Sequence, residues 1–551
     1  MKIEYPPEIN NLRTWGLATV AAFASGMIGY DSAFVGGTLA LPAFLREFGT
    51  LDKDTSSNLV STYQAGAFFG AFAAYPTGVY LGRKWGLFAA SLIFTVGSII
   101  MTIASNNTGL GPIYGGRAIA GLAIGMASNL APTYLSEIAP TAIRGRLIGM
   151  WEVGWQVGAI IGFWINYGVK QHQPDTSDSQ WRIPYGFQLV PGALLLFGTL
   201  TMIESPRWLL TRGREEEAVR NLEKIRKLPA SDPYLVDELA LCRESIRAER
   251  EVVGASFWGP IRYTFGQSKL RYRMLIASSL FAFQNGTGIN AINYYSPTVF
   301  RALGLTGTST ALLTTGVFGI IKGLGSVIWI LWLIEQLGRR KILMGGAFGG
   351  SICMFWIAIY IAVSKVGTPG HTSGELSAGG RSALAAFYLW TLFYGSTWNG
   401  TPWCYSAEMF PTASRSVGMT IAAASNWLYN FAISKATPAA FAWSNYGFFL
   451  IFACLMVVSI PYVFFVLPET RQVPLERMDD LFATRPVWRA GEIILNDIAQ
   501  SEKPSDNLPR AHPDTLERSG NNRDDGVSTP ERKDEGSQKG LDVETGDARN
   551  Y

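Results

Sequence analysis

Long apolar segments separated by short polar loops recur along almost the whole chain. Each segment is roughly 20 residues long, the length that an α-helix needs to cross a bilayer. The segments lie at 14–35, 59–80, 87–104, 112–133, 147–167, 184–203, 273–294, 311–333, 342–363, 383–403, 417–440 and 447–467. They fall six and six on either side of a charged block. The pattern therefore predicts an all-α integral membrane protein with twelve transmembrane helices in two six-helix bundles.

Composition agrees with a membrane protein. Of the 551 residues, 48% are hydrophobic and only 16% are charged, which is too apolar for a soluble protein of this length. The net charge of +4 is small and spread out, so nothing indicates binding to nucleic acid. The first residues lack the features of a secretory signal, and we expect the first apolar segment to act as its own targeting signal.

Side chains that commonly perform catalysis or bind metals are not grouped along the sequence. The four cysteines, Cys242, Cys353, Cys404 and Cys454, show no disulfide or metal-site spacing, and the three histidines fall in polar stretches. No set of nucleophile, base and orienting group is visible. We therefore expect neither an enzyme nor a cofactor.

The charged block sets the expected orientation. Its many basic residues predict a cytoplasmic linker by the positive-inside rule, and an even number of spans on each side then places both termini in the cytoplasm. The short loops alone give only a weak signal. The expected organisation is an N-terminal tail at 1–12, a first bundle at 13–203, a linker with amphipathic helices at 204–272, a second bundle at 273–470, and a C-terminal tail at 471–551 that is disordered from about 501.

One apolar segment ends in unusually polar sequence. Residues 283–297 contain two glycines, a proline, three asparagines and a glutamine. Backbone that can unwind at membrane depth is tolerated where it lines a cavity, and amides both donate and accept hydrogen bonds, as a polyhydroxylated ligand requires. This stretch predicts a solute site. The alternative is that the amides hold neighbouring helices together.

Two short motifs recur in the two halves of the chain. Glu137 and Arg144 enclose a segment that returns between Glu408 and Arg415, and Gly82-Arg83-Lys84 returns as Gly338-Arg339-Arg340. The repeat predicts two similar bundles in parallel orientation with the solute site between them. Charged groups at these helix ends can form a cytoplasmic gate, although simple positive-inside anchoring also explains the basic residues.

Four ionisable residues lie within predicted spans, where a charge is costly unless it is paired or solvated. They are Asp31, Arg117, Glu152 and Lys322. Arg117 has the alternative of reaching the membrane interface, and Glu152 that of reaching cytoplasmic water. Lys322 is too far from either end of its span for that. It has two possible roles, which are binding a substrate carboxylate or forming a structural ion pair with Glu152 or Asp31.

Several motifs together resemble the sugar porters of the major facilitator superfamily. They are Gly82-Arg83-Lys84, Glu137 to Arg144, Glu204-Ser205-Pro206-Arg207, Gln284 to Asn290, Gly338-Arg339-Arg340, Glu408 to Arg415 and Pro468-Glu469-Thr470. The resemblance extends from about 13 to 480. Four further stretches, including Gln284-Asn285-Gly286 and Trp398-Asn399-Gly400, are similar to the fungal quinate permeases within that family.

The resemblance implies roles for individual residues. It implies a substrate site at Gln284, Asn285, Asn290, Glu152, Trp398, Trp403 and Asn426, to which the charge argument adds Lys322. It implies proton coupling through Asp31 and Arg117. It implies a cytoplasmic gate at Arg83, Glu137, Arg144, Glu204, Arg207, Glu335, Arg339, Glu408 and Arg415. The chain departs from the family pattern at Val79, where an acidic residue is usual, while the second copy keeps Glu335.

Three hypotheses follow from these observations. The first is a secondary active transporter, working by alternating access and proton symport, that imports quinate or a related polyhydroxylated acid across the plasma membrane. The second is a hexose or polyol carrier on the same scaffold, with Lys322 structural. The third is a nutrient receptor that binds without transporting. For a transporter, the expected partners are the solute, protons and the lipid bilayer, and a single chain is expected to suffice.

Overall fold

The computed structural model describes residues 6–140, 143–305, 307–364, 377–474 and 477–501, and most of these residues are in helices. The first half contains six membrane crossings. Their helices are α1 (Leu12–Thr38), α3 (Lys53–Tyr80), α4 (Gly82–Thr102), α5 (Gly111–Ile138), α6 (Arg144–His172), and the pair α7 (Ser179–Phe187) and α8 (Leu189–Thr201). A short helix, α2 (Pro42–Phe48), follows the first crossing at a bend of 75°.

Four helices connect the two halves. They are α9 (Pro206–Thr211), α10 (Glu215–Arg226), α11 (Pro233–Val253) and α12 (Gly259–Gly266). Helices α10 and α11 lie within 204–272, the range in which amphipathic linker helices are expected. Helices α9 and α10 contact the first bundle, whereas α11 and α12 contact the second. The linker therefore touches both bundles at the same end of the molecule.

The second half repeats the six crossings with two of them broken. The helices are α13 (Ser268–Asn285) and α14 (Ile289–Ala302), α15 (Thr308–Ile328) extended through a π-helical turn to α16 (Ile334–Gln336), α17 (Arg339–Ser364), α18 (Ala378–Ser396) and α19 (Thr401–Met409), α20 (Thr412–Trp443), and α21 (Asn445–Val466). Two further helices, α22 (Met478–Ala483) and α23 (Ala490–Ser501), follow the last crossing.

The predicted architecture of twelve crossings in two bundles is confirmed. By length and hydropathy alone, seven helices of the described chain are able to span a membrane, or eight if the bent pair at the N-terminus counts as one span. Among the remaining crossings, the seventh and tenth are broken, and α3 and α20 carry polar side chains on the faces where the bundles meet. Weak apolar character thus marks helices that line the interface between the bundles.

The two bundles meet mainly along three pairs of helices, with a smaller contact between α5 and α20. Helix α3 packs against α20, α6 against α15, and α1 against α14. Small residues permit the close approach, because a Cβ atom at Gly316 of α15 would lie only 2.9 Å from the indole of Trp164 on α6. By contrast, α4, α8 and α17 pack mainly against helices of their own bundle. We therefore expect a solute site at the interface between the bundles.

The segment after the last crossing packs onto the end of the second bundle. An apolar cluster there consists of Val473, Met478, Leu481, Ala490 and Ile494. Arg273 at the start of the seventh crossing pairs with Asp479 at 2.6 Å and donates to the carbonyl of Met409 at 3.0 Å. The first part of the predicted tail is thus helical and attached, while the predicted disorder from about 501 falls largely outside the described residues.

We expect truncation after Thr484 to destabilise the protein, because it removes α23 and leaves the buried cluster without Ala490 and Ile494. The loss should be about 2–5 kcal/mol, the order measured for removing a large aliphatic side chain from a core. Thermal unfolding in detergent checks it, with truncation after Ser501 as the matched control that retains the cluster. Equal melting temperatures for the two truncations would contradict this expectation.

Candidate functional site

The seventh crossing breaks where its sequence is most polar. Residues 286–288 separate α13 from α14, and Gly288 adopts φ +89°, a conformation that favours glycine. A Cβ atom at this position would also lie 2.8 Å from the ring of Phe452. The Thr287 hydroxyl donates to the carbonyl of Gln284 at 2.7 Å. The break is therefore specified locally, and the backbone N–H groups of residues 286–288 donate to carbonyls at the end of α13.

The tenth crossing breaks at 397–400, and Gln284 holds the two breaks together. Its side-chain Nε2 donates to the carbonyls of Trp398 and Asn399, both at 2.9 Å. Both side-chain amide hydrogens of Gln284 are therefore bonded to carbonyls in the non-helical segment 397–400. What remains for a ligand on this side chain is the Oε1 acceptor.

A chain of three amides runs beside this junction. Asn290 donates to Asn285 at 2.5 Å, and Asn285 donates to Asn426 at 3.1 Å and to the carbonyl of Phe281 at 2.8 Å. These side chains come from α14, α13 and α20. The structure therefore brings together four predicted site residues, counting Gln284, in one polar region of the second bundle.

The two tryptophans predicted for the site have different surroundings. Trp403 packs edge-on against Phe281 with ring centroids 4.7 Å apart, and it contacts the apolar cores of both bundles. Trp398 is fully buried, and its Nε1 donates to the carbonyl of Leu343 on α17 at 3.0 Å. Trp403 therefore lies where the bundles meet, whereas Trp398 packs inside the second bundle.

Glu152 and Lys322 project from facing helices, α6 of the first bundle and α15 of the second. Glu152 accepts a hydrogen bond from Gln156 at 2.6 Å and another from Asn399, whose Nδ2 also donates to Ser326 at 3.0 Å. The Asn399 contact crosses from one bundle to the other. Sequence reasoning missed Asn399 and Ser326, although Asn399 stands between the two predicted tryptophans.

Lys322 is a buried cation in the middle of a long helix. It lies fourteen residues after Thr308 and fourteen before Gln336, and only 2% of its surface is exposed. Its ammonium lies 5.9 Å from the ring centroid of Phe318 and interacts electrostatically with Glu152. Within the described residues no carboxylate lies within 4.0 Å of this nitrogen. The charge is thus balanced at a distance, without a direct ion pair.

Asp31 and Arg117 form a second charge pair inside the first bundle. Arg117 Nη1 lies 3.5 Å from Asp31 Oδ1, and both side chains are completely buried. The guanidinium lies 5.1 Å from the ring centroid of Tyr63. No hydrogen bond to the carboxylate or guanidinium is present among the described residues. Because Arg117 is buried against Asp31, it does not extend to the membrane interface.

The sequence and fold of this chain match those of known membrane transporters. Residues 17–482 match the sequence profile of the family described as "Sugar (and other) transporter". The chain belongs to this family. It is therefore a multi-pass membrane protein and a secondary transporter.

Relatives and solved structures support the assignment over most of the chain. The "Probable quinate permease" of Aspergillus niger is 51% identical over 504 residues, covering 90% of this chain and 93% of the relative. The protein of the same name from Aspergillus terreus is 50% identical, with coverage of 90% and 92%. The proton:xylose symporter XylE bound to 6-bromo-6-deoxy-D-glucose superposes with a TM-score of 0.70 at 25% identity, covering 85% of this chain and 99% of that one. An inward-open XylE from E. coli superposes with a TM-score of 0.67 at 24% identity, covering 85% and 99%, and shows the fold alone.

At the linker end of this transporter, the repeated motifs form one network in each bundle. In the first, Arg83 pairs with Glu137 at 2.7 Å, and Glu204 accepts from the backbone N–H of Arg83 at 2.9 Å. In the second, Arg339 pairs with Glu408 at 2.6 Å. There, the backbone N–H of Arg339 donates to Glu469 at 2.9 Å. Glu469 is therefore the counterpart of Glu204. The Pro468-Glu469-Thr470 motif was its only signal in the sequence.

Other predicted gate residues have different neighbours. Arg207 pairs with Glu249 of the linker at 3.0 Å, and Arg415 donates to the carbonyl of Phe410 at 3.3 Å. Neither Arg144 nor Glu335 takes part in an ion pair within 4.0 Å in the described chain. The same residue ranges contain no ion pair that joins one bundle to the other, so the linker-end networks each belong to a single bundle.

The end of the interface opposite the linker is closed by direct contacts. Gln64 of α3 donates to the hydroxyl of Ser434 on α20 at 3.4 Å, and Lys435 of α20 donates to Ser57 of α3 at 3.1 Å. Gly36 of α1 packs against the backbone of Tyr294 so tightly that it has no room for a Cβ atom. The structure therefore seals the interface at this end.

We expect Gln284→Ala to weaken both the fold and substrate binding. The substitution leaves the carbonyls of Trp398 and Asn399 without their donors, which should cost about 1–3 kcal/mol of stability. Asn290→Ala is the comparison, because Asn290 lies at the end of the amide chain and is partly exposed, so its effect should fall on affinity more than on stability. Thermal unfolding and a binding titration on both variants measure the two effects. An unchanged melting temperature for Gln284→Ala would contradict the role of its amide nitrogen.

Proposed function

We propose that this transporter imports quinate or a related polyhydroxylated acid together with protons, by alternating access, across the plasma membrane. The observation that carries the proposal is Lys322, a cation buried at the interface between the bundles with no direct ionic partner in the described chain. A buried charge is costly unless it is compensated. A substrate carboxylate would supply that compensation. The relatives named quinate permease support the same substrate class.

The neighbouring amides suit the rest of such a substrate. Gln284 has an acceptor to offer, and the amide chain from Asn290 to Asn426 ends in groups that both donate and accept. Trp403 supplies an aromatic edge where the bundles meet. A ring carrying several hydroxyls and one carboxylate would therefore satisfy the amides and the cation at the same time.

Orientation completes the proposal. We place the linker and both termini in the cytoplasm, because the linker is rich in basic residues. The sealed end of the interface then faces outwards. Import would require this end to open while the linker end closes. The proposal involves no chemical change to the substrate, and one chain suffices because the site lies between its own two bundles.

Asp31 and Arg117 are proposed to carry the coupled proton. In the pair as it stands, two fully buried charges neutralise each other at 3.5 Å. Protonation of Asp31 would remove its charge and release Arg117, so that the two states favour different packing of α1 against α5. This supplies the two-state element that coupled transport requires.

A hexose or polyol carrier is the second candidate, and the amide chain favours it because amides bind neutral hydroxyls equally well. In that case Lys322 would only neutralise the charge of Glu152 and would not contact the substrate. Uptake of labelled quinate, glucose and inositol by cells that lack their own carriers separates the candidates. Uptake of quinate alone supports the acid importer, and uptake of glucose or inositol alone overturns it.

Asp31→Asn should reduce accumulation against a gradient, because the proton carried by Asp31 is lost, while substrate exchange continues. The amide has nearly the same shape, but it cannot alternate between a protonated state and a charged state paired with Arg117. Uptake driven by an imposed pH gradient and exchange at equal concentrations are the two measurements. Normal accumulation by this variant would show that the proton binds elsewhere.

Lys322→Met should lose uptake of the acid far more than uptake of any neutral polyol. Methionine keeps a similar length and removes the charge, so only the carboxylate loses its counter-ion. Lys322→Arg keeps the charge and is the matched control, which should retain part of the acid uptake. The ratio of the two uptakes is measured in each variant at known surface expression. Equal loss of both substrates would make Lys322 structural and favour the polyol carrier.

A further inference from the structure

Lys322 and Glu152 carry opposite charges at the interface between the bundles, and a charged substrate would change their sum. Glu152 and Lys322 occupy facing positions on α6 and α15, and together they contribute one negative and one positive charge to the interface. The empty site is therefore neutral. A substrate carboxylate that binds at Lys322 would bring a second negative charge into the same region. The loaded site would then carry a net charge of minus one.

Such an uncompensated charge is unfavourable at membrane depth. Transfer of an ionised group into a poorly solvated environment costs several kcal/mol unless it is paired. The groups around Glu152 from its own helix and from the facing helices are Gln156, Ser326, Asn399, Tyr394 and Lys322. The amides and hydroxyls take up no proton near neutral pH, and Lys322 already carries its own. The carboxylate of Glu152 is the one group in this set that is able to accept a proton.

We infer that Glu152 is a second proton site of the transporter, and that it becomes protonated when the carboxylate of the substrate binds to Lys322. The inference rests on the proposed transport of a hydroxylated acid. In the step, one proton from the side to which the site is open binds to a Glu152 oxygen. No other covalent bond forms or breaks. The substrate carboxylate replaces Glu152 as the counter-ion of Lys322, and the site with bound substrate is again neutral.

The same step links loading to the contact between the bundles. Glu152 accepts a hydrogen bond from Asn399, which lies in the break of the tenth crossing that Gln284 holds in place. A hydrogen bond to an ionised carboxylate is stronger than one to a neutral acid. Protonation of Glu152 therefore weakens one connection from α6 of the first bundle to the tenth crossing of the second. Substrate loading thereby loosens the bundles near the site.

The stoichiometry distinguishes this arrangement from coupling through Asp31 alone. With a proton on both Asp31 and Glu152, each monovalent acid moves with two protons and one net positive charge. At zero membrane potential, a pH difference of one unit then supports about 100-fold accumulation, against about tenfold for one proton. An inside-negative potential of about 100 mV raises the accumulation ratio by a further factor of about 50 when two protons accompany the anion, because one net charge then crosses the membrane. With one proton no net charge crosses, so the potential has no effect on the ratio.

Proton uptake on binding tests the site directly. Purified Asp31→Asn protein in weakly buffered detergent is titrated with quinate in the presence of a pH indicator, so that Asp31 contributes nothing. Binding itself is followed in parallel by thermal unfolding. We expect about one proton taken up per quinate bound near neutral pH, and none when Glu152→Gln is added. No proton uptake by Asp31→Asn during measurable binding overturns the inference, whether or not the double variant folds.

Accumulation in proteoliposomes provides an independent measurement. Wild-type protein should reach the two-proton limit and respond to the membrane potential, whereas Glu152→Gln should fall to the one-proton limit and lose that response. Wild-type accumulation at the one-proton limit overturns the inference and leaves the proposed function intact. Absence of quinate binding and uptake by the wild type overturns both. A neutral polyol that binds without proton uptake in the Asp31→Asn background supports the assignment to the carboxylate.

Discussion

The hydrogen bonds from Gln284 to the carbonyls of Trp398 and Asn399 hold the candidate site in shape. Backbone polar groups have no water to bind in the hydrocarbon region of a bilayer, so each unpaired group costs several kcal/mol. A single unwound crossing would leave such groups unpaired. Here the side chain from beside one break satisfies the backbone of the other. The break in the tenth crossing therefore depends on a side chain beside the break in the seventh, and the two breaks create a polar region that an intact helix could not provide.

Two pairs of opposite charges lie within the membrane-spanning helices, one inside the first bundle and one between the bundles. Asp31 and Arg117 lie on α1 and α5 of the first bundle and neutralise each other there. Glu152 and Lys322 belong to opposite bundles and balance each other across the interface. Any change in the spacing of the bundles alters that balance. The first pair is suited to storing a proton, and the second is suited to sensing what occupies the space between the bundles.

The sequence predicted the twelve crossings because segments of roughly 20 largely apolar residues recur six and six around the charged block, even where polar side chains weaken their apolar character. It located the break of the seventh crossing because glycines and amides interrupt the apolar pattern there. It offered two explanations for the amides, a solute site and a contact between helices. The structure shows a contact between helices at Gln284, whose side-chain nitrogen donates to backbone carbonyls of the tenth crossing. A role of its side-chain oxygen in binding a solute stays a prediction. The backbone partners of Gln284 lie 114 and 115 residues away, and no local pattern encodes such a contact. For the same reason, the inward packing of Trp398 and the bridging position of Asn399 were not foreseen.

The two linker-end networks differ at one position, and the difference shows how the bundles are connected to the linker. Where the family usually has an acidic residue, the first copy has Val79, whose carbonyl accepts a hydrogen bond from the indole of Trp208 on α9 at 3.0 Å. The second copy keeps Glu335 on α16. A linker helix is therefore fixed directly to the backbone of the first bundle at the place where a charge was lost. In the described part of the chain, the ion pairs of these two networks stay within single bundles, so movement between the bundles breaks none of them. Because α11 and α12 pack against α20 of the second bundle, the linker is attached to both bundles.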